Sequence, residues 1–236
     1  MAYGVTSNTL LLSLNPGINA SQSSALVHCA EFFTTFISGI SHFKFGNVDK
    51  KLFKSLVIPG VIGGIIGAYV LTSIPDKIIK PIVLIYLIII GITIFYKALK
   101  VTEHKEVTKH IIPLGVVGGF FDATGGGGWG PIVTSTMIAR GHNPKLVIGS
   151  VNASEWFVTM AEAAAFVVTL GSGFLSTYWK AILGLLVGGI ITAPFAAYVT
   201  KKIKAKPLMI FVAILILVIN VFKLLQTFKV IPSILK

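Results

Sequence analysis

The 236-residue sequence holds a single cysteine, Cys29, and only eight acidic residues, and charged residues of both signs make up just 12% of the chain. One cysteine excludes an intrachain disulfide and any cysteine-rich metal site. The shortage of charge, set against 54% hydrophobic residues and a mean hydropathy of +0.88, leaves too little polar surface to cover a water-soluble domain of this size. No ten-residue segments of alternating hydrophobicity occur, which argues against a membrane β-barrel. The opening MAYGVTSN has neither a basic region ahead of an apolar core nor a cleavage site, so no signal peptide is expected.

What the chain does have is a series of apolar runs, at about 22–42, 55–74, 81–99, 146–169, 175–199 and 207–225. Each has roughly the 20 residues that carry a helix across a hydrocarbon core of ~30 Å. They predict an all-α integral membrane protein. The net charge of +12 does not point to nucleic acid, because the lysines gather in short connections: Lys44, Lys50, Lys51 and Lys54; Lys97, Lys100, Lys105 and Lys109; Lys201, Lys202, Lys204 and Lys206. That distribution is expected of cytoplasmic loops facing anionic lipid.

The two halves match. YGVTSNTLL from Tyr3 aligns with WGPIVTSTM from Trp129, and SALVHCAEFFTT aligns with IGSVNASEWFVT, pairing His28 with Asn152 and Glu31 with Glu155. Farther on, VIGGIIGAYV aligns with LVGGIITAPF and IKPIVLIYL with AKPLMIFVA, pairing Gly63 with Gly188 and Pro81 with Pro207. A constant offset over four segments marks a duplication: one transmembrane domain over 1–236, with repeat 1 at about 1–100 and repeat 2 at about 110–228. The counterpart of residues 111–128 would lie ahead of Met1, so the first repeat is expected to be truncated at its front, either naturally or in this chain.

DATGGGGWGP, residues 122–131, interrupts an otherwise membrane-like stretch. Each glycine costs a helix about 1 kcal/mol relative to alanine, and irregular backbone at membrane depth persists only where protein buries it or it lines a polar cavity. The run predicts a break between half-helices at 111–121 and 130–139, with Pro131 suited to the first turn of the second. That half-helix would offer free N–H groups and a positive dipole end to an anion, with no Cβ atoms at Gly125, Gly126, Gly127, Gly128 or Gly130 in the way. Close helix packing is the other use of such glycines, although packing asks for spaced small residues rather than four in a row. The run is not a nucleotide loop, since Trp129, Gly130 and Pro131 stand where Lys and a hydroxyl are required.

Ser24, His28, Glu31, Thr35 and Ser38 recur at steps of three or four, on one helical face, as do Asn152, Glu155, Thr159 and Glu162. Carboxyl groups inside membrane helices face the bundle interior or a water-filled path. Glu31 and Glu155 at matched positions are therefore either coupling groups that exchange protons or hydrogen-bonded struts. Asp122 is either an anchor or a cap for the half-helix after it. His28-x-x-Glu31 lacks the second histidine of a metalloprotease motif. No metal, cofactor or catalytic set is expected. His28 and Cys29, about 100° apart on a helix, do not form a nucleophile and base. Cys29 reads as a small core residue, and His42 and His142 as solvated ends.

With the duplication, GGGGWGP, GSVNASE and VHCAE in hand, the sequence resembles the TauE/SafE family of sulfite exporters, also called DUF81 permeases. The resemblance covers nearly the whole chain. It implies a multi-pass protein of a prokaryotic cytoplasmic membrane that exports sulfite, sulfoacetate or a related organosulfonate, and is not an enzyme. The first repeat departs from the pattern by lacking its glycine-rich half-helix. Arg140 at a helix end is the one arginine, so an oxyanion would rely on the Gly125–Gly130 backbone around Trp129, on Thr6, Ser7, Thr124, Thr134, Ser135 and Asn152, and on His28. The expected mechanism is alternating access of two repeats about a midplane anion site, with a proton on Glu31 or Glu155 or with the membrane potential as the driving force. A passive channel is the alternative, an intramembrane enzyme a more distant one, and a homodimer is left open. Fourteen of the twenty basic residues share a face if the broken segment dips in and returns, and the positive-inside rule then favours inverted repeats with that face cytoplasmic.

Overall fold

A computed structural model describes residues 3–15, 17–99, 110–140, 142–202 and 205–228; all the regular structure among them is helical. The helices are α1 (Tyr3–Leu14), α2 (Ala20–Lys44), α3 (Lys50–Ser73), α4 (Asp76–Leu99), α5 (Ile111–Gly125), a π-helical turn (Gly130–Thr134) running into α6 (Ser135–Ala139), α7 (Pro144–Leu170), α8 (Gly173–Lys202) and α9 (Ala205–Thr227). Lys105 and Lys109 lie outside the described residues.

The long helices start two to five residues ahead of the apolar runs, because their first turns are polar. Asn19 and Gln22 form a reciprocal capping box on α2, with the Gln22 N–H donating to Asn19 Oδ1 at 2.7 Å. Asp49 accepts from the Lys51 and Leu52 amides at the head of α3, and Asn143 caps α7 one residue before Pro144. Among the described residues four helices are long and apolar enough to cross a membrane: Lys50–Ser73, Lys77–Tyr96, Pro144–Leu170 and Gly173–Phe195. At 25 residues α2 has the length as well, and its Ser, His, Glu and Thr stripe is what lowers its hydropathy.

The centre of the bundle is the crossing of α2 and α7. Thr35 Oγ1 lies 3.2 Å from Thr159 Oγ1, the Ser38 hydroxyl donates to Asn152 Oδ1 at 3.3 Å, and His28 meets Glu162 at 3.1 Å. As the number rises along α2 it falls along α7, so the two run antiparallel. By contrast α3 and α7 run the same way, with Asp49 against Ser150, Phe53 against Phe157 and Gly64 against Glu162. Along α3 lies α5, also parallel to it: Gly63 backs onto the Val116 carbonyl and Gly119 onto the Gly60 carbonyl, so closely that a Cβ on either glycine would overlap backbone.

His110, ahead of α5, and His142, ahead of α7, line a single surface cleft together with Asp49. The segment between them therefore leaves one end of the bundle, breaks inside it and comes back to the same end.

No described helix covers α8 as α5 covers α3, and Gly184 and Gly188 of α8 face open space. This asymmetry sets up a test. Gly63→Val, which forces a side chain into the Val116 carbonyl, is expected to lower stability by at least the 1–3 kcal/mol typical of overpacking, whereas Gly188→Val at the matched position is expected to leave it unchanged. Thermal unfolding of the two purified variants in detergent checks both.

Candidate functional site

The chain breaks at residues 126–129. Gly126, with φ 63°, and Gly127, with φ 135°, adopt backbone angles that side-chain-bearing residues rarely take. The first half-helix reaches Gly125, four residues past the expected end, because the Asp122 carbonyl still accepts the Gly126 and Gly127 N–H groups as an α-helical stop. The Asp122 carboxylate then accepts the Trp129 N–H at 2.8 Å and faces the Gly128 amide. Asp122 is thus the cap of the second half as well as the end of the first. The amides expected to meet an anion at Gly126, Gly127, Gly128 and Trp129 are directed at Asp122 instead. Pro131, in the first turn of the second half, has no N–H to leave unpaired.

Neighbouring helices brace this break. Asn8 Nδ2 of α1 donates to the Gly125 carbonyl at 2.6 Å, and Asn8 Oδ1 accepts from Ser23 of α2 in a short hydrogen bond. Ser24 donates to the Ala123 carbonyl, and His28 Nε2 lies 3.2 Å from the Asp122 carbonyl. Trp129 is fully buried, and its indole N–H donates to the Val151 carbonyl of α7. Gly4 of α1 lies so near that a Cβ there would come 2.7 Å from Gly127 Cα and 2.6 Å from Glu31 Oε1.

Beside the break is a cavity of about 100 Å³, enough for several water-sized groups and so for a small anion. Gly127, Gly130 and Pro131 form one wall, Glu31, Thr34, Thr35 and Ser38 of α2 a second, and Asn152 and Glu155 of α7 a third; Tyr3 and Gly4 of α1 and Gly189, Thr192 and Ala193 of α8 complete it. No lining residue among the described ones is a lysine or arginine. Of the residues anticipated from sequence, Glu31, Gly127, Gly130, Asn152 and Glu155 line the cavity. Thr6, Ser7, Thr124, Gly125, Gly126, Gly128, Trp129 and Thr134 do not, and the Thr124 hydroxyl bonds its own helix at Phe120. Arg140 does not line it either, and the Ser135 side chain lies outside the described residues.

Behind Glu31, away from the cavity, His28, Asp122 and Glu162 are packed together with no exposure to solvent. His28 Nδ1 stands 3.2 Å from Glu31 Oε2 and 3.1 Å from Glu162 Oε2, and the Phe166 ring stacks on the imidazole. Sequence reasoning missed this grouping, since Glu162 matches Ser38 rather than a carboxyl. It also missed Asn8 and Ser23, for which a polar pair within apolar helices was the only signal.

A family model of the sulfite exporter TauE/SafE matches residues 1–222. The chain belongs to the TauE/SafE family. It is 42% identical over 228 residues to the "Probable membrane transporter protein YtnM" of Bacillus subtilis (strain 168), the match covering 93% of this chain and 75% of that protein. No solved structure matches it. Membership of the TauE/SafE family, together with the apolar helices, makes the protein a multi-pass membrane transporter and not an enzyme.

The bracing of the break can be tested at a residue outside the cavity. Asn8→Leu removes the partners of the Gly125 carbonyl and the Ser23 hydroxyl, and each buried polar group left unpaired costs about 1–3 kcal/mol. A fall in unfolding temperature is expected for Asn8→Leu and little change for Thr124→Val, both measured by fluorescence-detected thermal unfolding in detergent.

Proposed function

We propose that the protein exports a small sulfur-containing anion, sulfite or an organosulfonate such as sulfoacetate, across the cytoplasmic membrane by alternating access at the cavity between the glycine break, α2 and α7. The observation that carries this reading is the cavity itself. It lies among the glycine break, α1, α2, α7 and α8, and it is walled by hydroxyls, an amide and two carboxyl groups, with four glycines that bring backbone to its surface. The match to a sulfite exporter family supports an anion as the cargo.

The proposed movement is a rocking of one inverted repeat against the other. Support comes from contacts that pair up under the sequence match. Thr35 and Thr159 are equivalent to each other and touch. His28 and Glu162 are equivalent to Asn152 and Ser38, and both pairs touch. In the same way Trp129 packs on Gly60 while Tyr3 donates to the Leu185 carbonyl. Exchanged pairs of this kind, on antiparallel helices, are what a two-fold axis in the membrane plane produces.

An anion in a cavity with two carboxyl groups and, among the described residues, no lysine or arginine requires compensation, and a proton on Glu31 or Glu155 supplies it. If this holds, Glu31→Gln or Glu155→Gln removes the pH dependence of transport and retains binding, because glutamine mimics the protonated acid. An unchanged pH profile in both variants would make the two residues struts.

The substrate class is tested with protein reconstituted in liposomes and offered sulfite, sulfate, thiosulfate, sulfoacetate and simple carboxylates. The expected result is saturable flux with counterflow for a sulfur oxyanion. Flux that neither saturates nor shows counterflow would mark a channel, and carboxylate flux alone would overturn the assignment of cargo.

A further inference from the structure

The contacts of His28 pose a problem in charge and lone pairs. Its Nε2 lies 3.2 Å from the Asp122 main-chain carbonyl, an oxygen that only accepts, so Nε2 carries the hydrogen. In a neutral imidazole Nδ1 then holds a lone pair. That lone pair is directed into carboxylates, with Glu162 Oε2 at 3.1 Å and Glu31 Oε2 at 3.2 Å. The Glu162 carboxyl meets only the Asp122 carboxyl and the imidazole, and no donor group among the described residues reaches either Glu162 oxygen, Asp122 Oδ2 or His28 Nδ1. All three residues are completely buried. Acceptor atoms gathered in a dry interior repel one another unless something positive lies between them.

We propose that His28, Asp122 and Glu162 form a binding site for one divalent transition-metal cation. One ligand atom from each lies within 4.8 Å of the others. Around an ion with bonds of about 2.1 Å, ligand atoms stand roughly 3.4 Å apart at tetrahedral angles and about 4.2 Å apart when opposite. Side-chain rotations that shorten the widest separation by up to about 1.4 Å therefore close the site. The set is one neutral imidazole and two carboxylates, so a divalent ion brings its net charge to zero. Mixed nitrogen and oxygen ligation suits Mn²⁺, Fe²⁺ or Zn²⁺ better than Mg²⁺ or Ca²⁺, which prefer oxygen alone. The supporting bonds fit as well. Metal-bound histidines commonly donate their other N–H to a carbonyl, as His28 does to Asp122, and the Trp129 amide holds the second oxygen of Asp122 at 2.8 Å.

The site joins α2, α5 and α7, with Glu31 standing between it and the cavity. A cation here puts positive charge just behind a cavity with no lysine or arginine among its described lining residues. The proposal goes beyond the transport reading and does not depend on it, because binding of the ion is measured with no anion present.

The test uses the full chain, purified in detergent, stripped with a chelator and titrated with Mn²⁺ and with Zn²⁺ by calorimetry. The expected result is one ion per chain with micromolar or tighter affinity, weakened at least tenfold in Glu162→Gln and in His28→Gln. The double variant His110→Ala/His142→Ala, at the surface cleft beside Asp49, is expected to bind as the wild type does. Absence of stoichiometric binding of either ion to the wild type overturns the proposal and leaves a proton shared within the cluster as the positive charge. Affinity unchanged in both buried-site variants, or lost in the surface double variant, equally overturns it. Should Glu162→Gln not fold, the wild-type titration and His28→Gln decide.

Discussion

The hydrogen bonds of Asp122 hold the centre of this protein together. Its carbonyl ends one half-helix by accepting the Gly126 and Gly127 amides, its carboxylate begins the other by accepting the Trp129 amide, and the same carbonyl faces His28 of α2. Unpaired amides cost several kcal/mol each away from water. A broken helix inside a membrane protein therefore persists only if some group meets them, and here that group is built into the chain seven residues before Trp129. Glycine is needed at 126 and 127 because the backbone between the two ends must turn through angles that a Cβ disfavours.

From that break the rest of the arrangement follows. The segment turns back to the end of the bundle it left, so that His110 and His142 lie beside Asp49 at the same surface. On the proposed reading, an out-and-back segment with an odd number of crossings on either side of it turns the second half over relative to the first, a reading that fits the antiparallel crossing of α2 and α7 with Thr35 against Thr159. Four buried carboxyl groups gather about the crossing, Glu31, Glu155 and Glu162 from α2 and α7 and Asp122 from α5, with His28 among them. Burial of so much negative charge is stable only with bound positive charge. On the proposed reading, this need for positive charge is what ties ion or proton binding to movement of an anion.

Much of this was legible in the sequence, for identifiable reasons. Four consecutive glycines are incompatible with a regular helix interior, which located the break to within a few residues. The polar stripes were visible because a serine, histidine, glutamate or threonine every third or fourth position has no other explanation in an apolar run. The bonding of the break was not legible. Free amides at Gly126 and Gly127 were the natural expectation for a dipole end, and whether a nearby carboxylate or a ligand satisfies them depends on how the chain turns. Asn8, Tyr3 and Thr192 reach the site only through the packing of α1 and α8, which no periodicity encodes. Glu162 escaped pairing with His28 because the duplication sets it opposite Ser38, and the two meet across the α2–α7 crossing rather than within a repeat.

The central claim is that the broken segment returns to the face it came from, so that the two repeats are inverted. Single cysteines introduced at Lys44, Arg140 and Ser172 in a Cys29→Ala background, labelled by an impermeant thiol reagent in intact cells and in inside-out vesicles, measure this most directly. The account predicts that Lys44→Cys and Arg140→Cys react from the cytoplasmic side and Ser172→Cys, between α7 and α8, from the other. Reaction of Arg140→Cys from the same side as Ser172→Cys would contradict it, since the glycine segment would then cross the membrane and the repeats would run parallel.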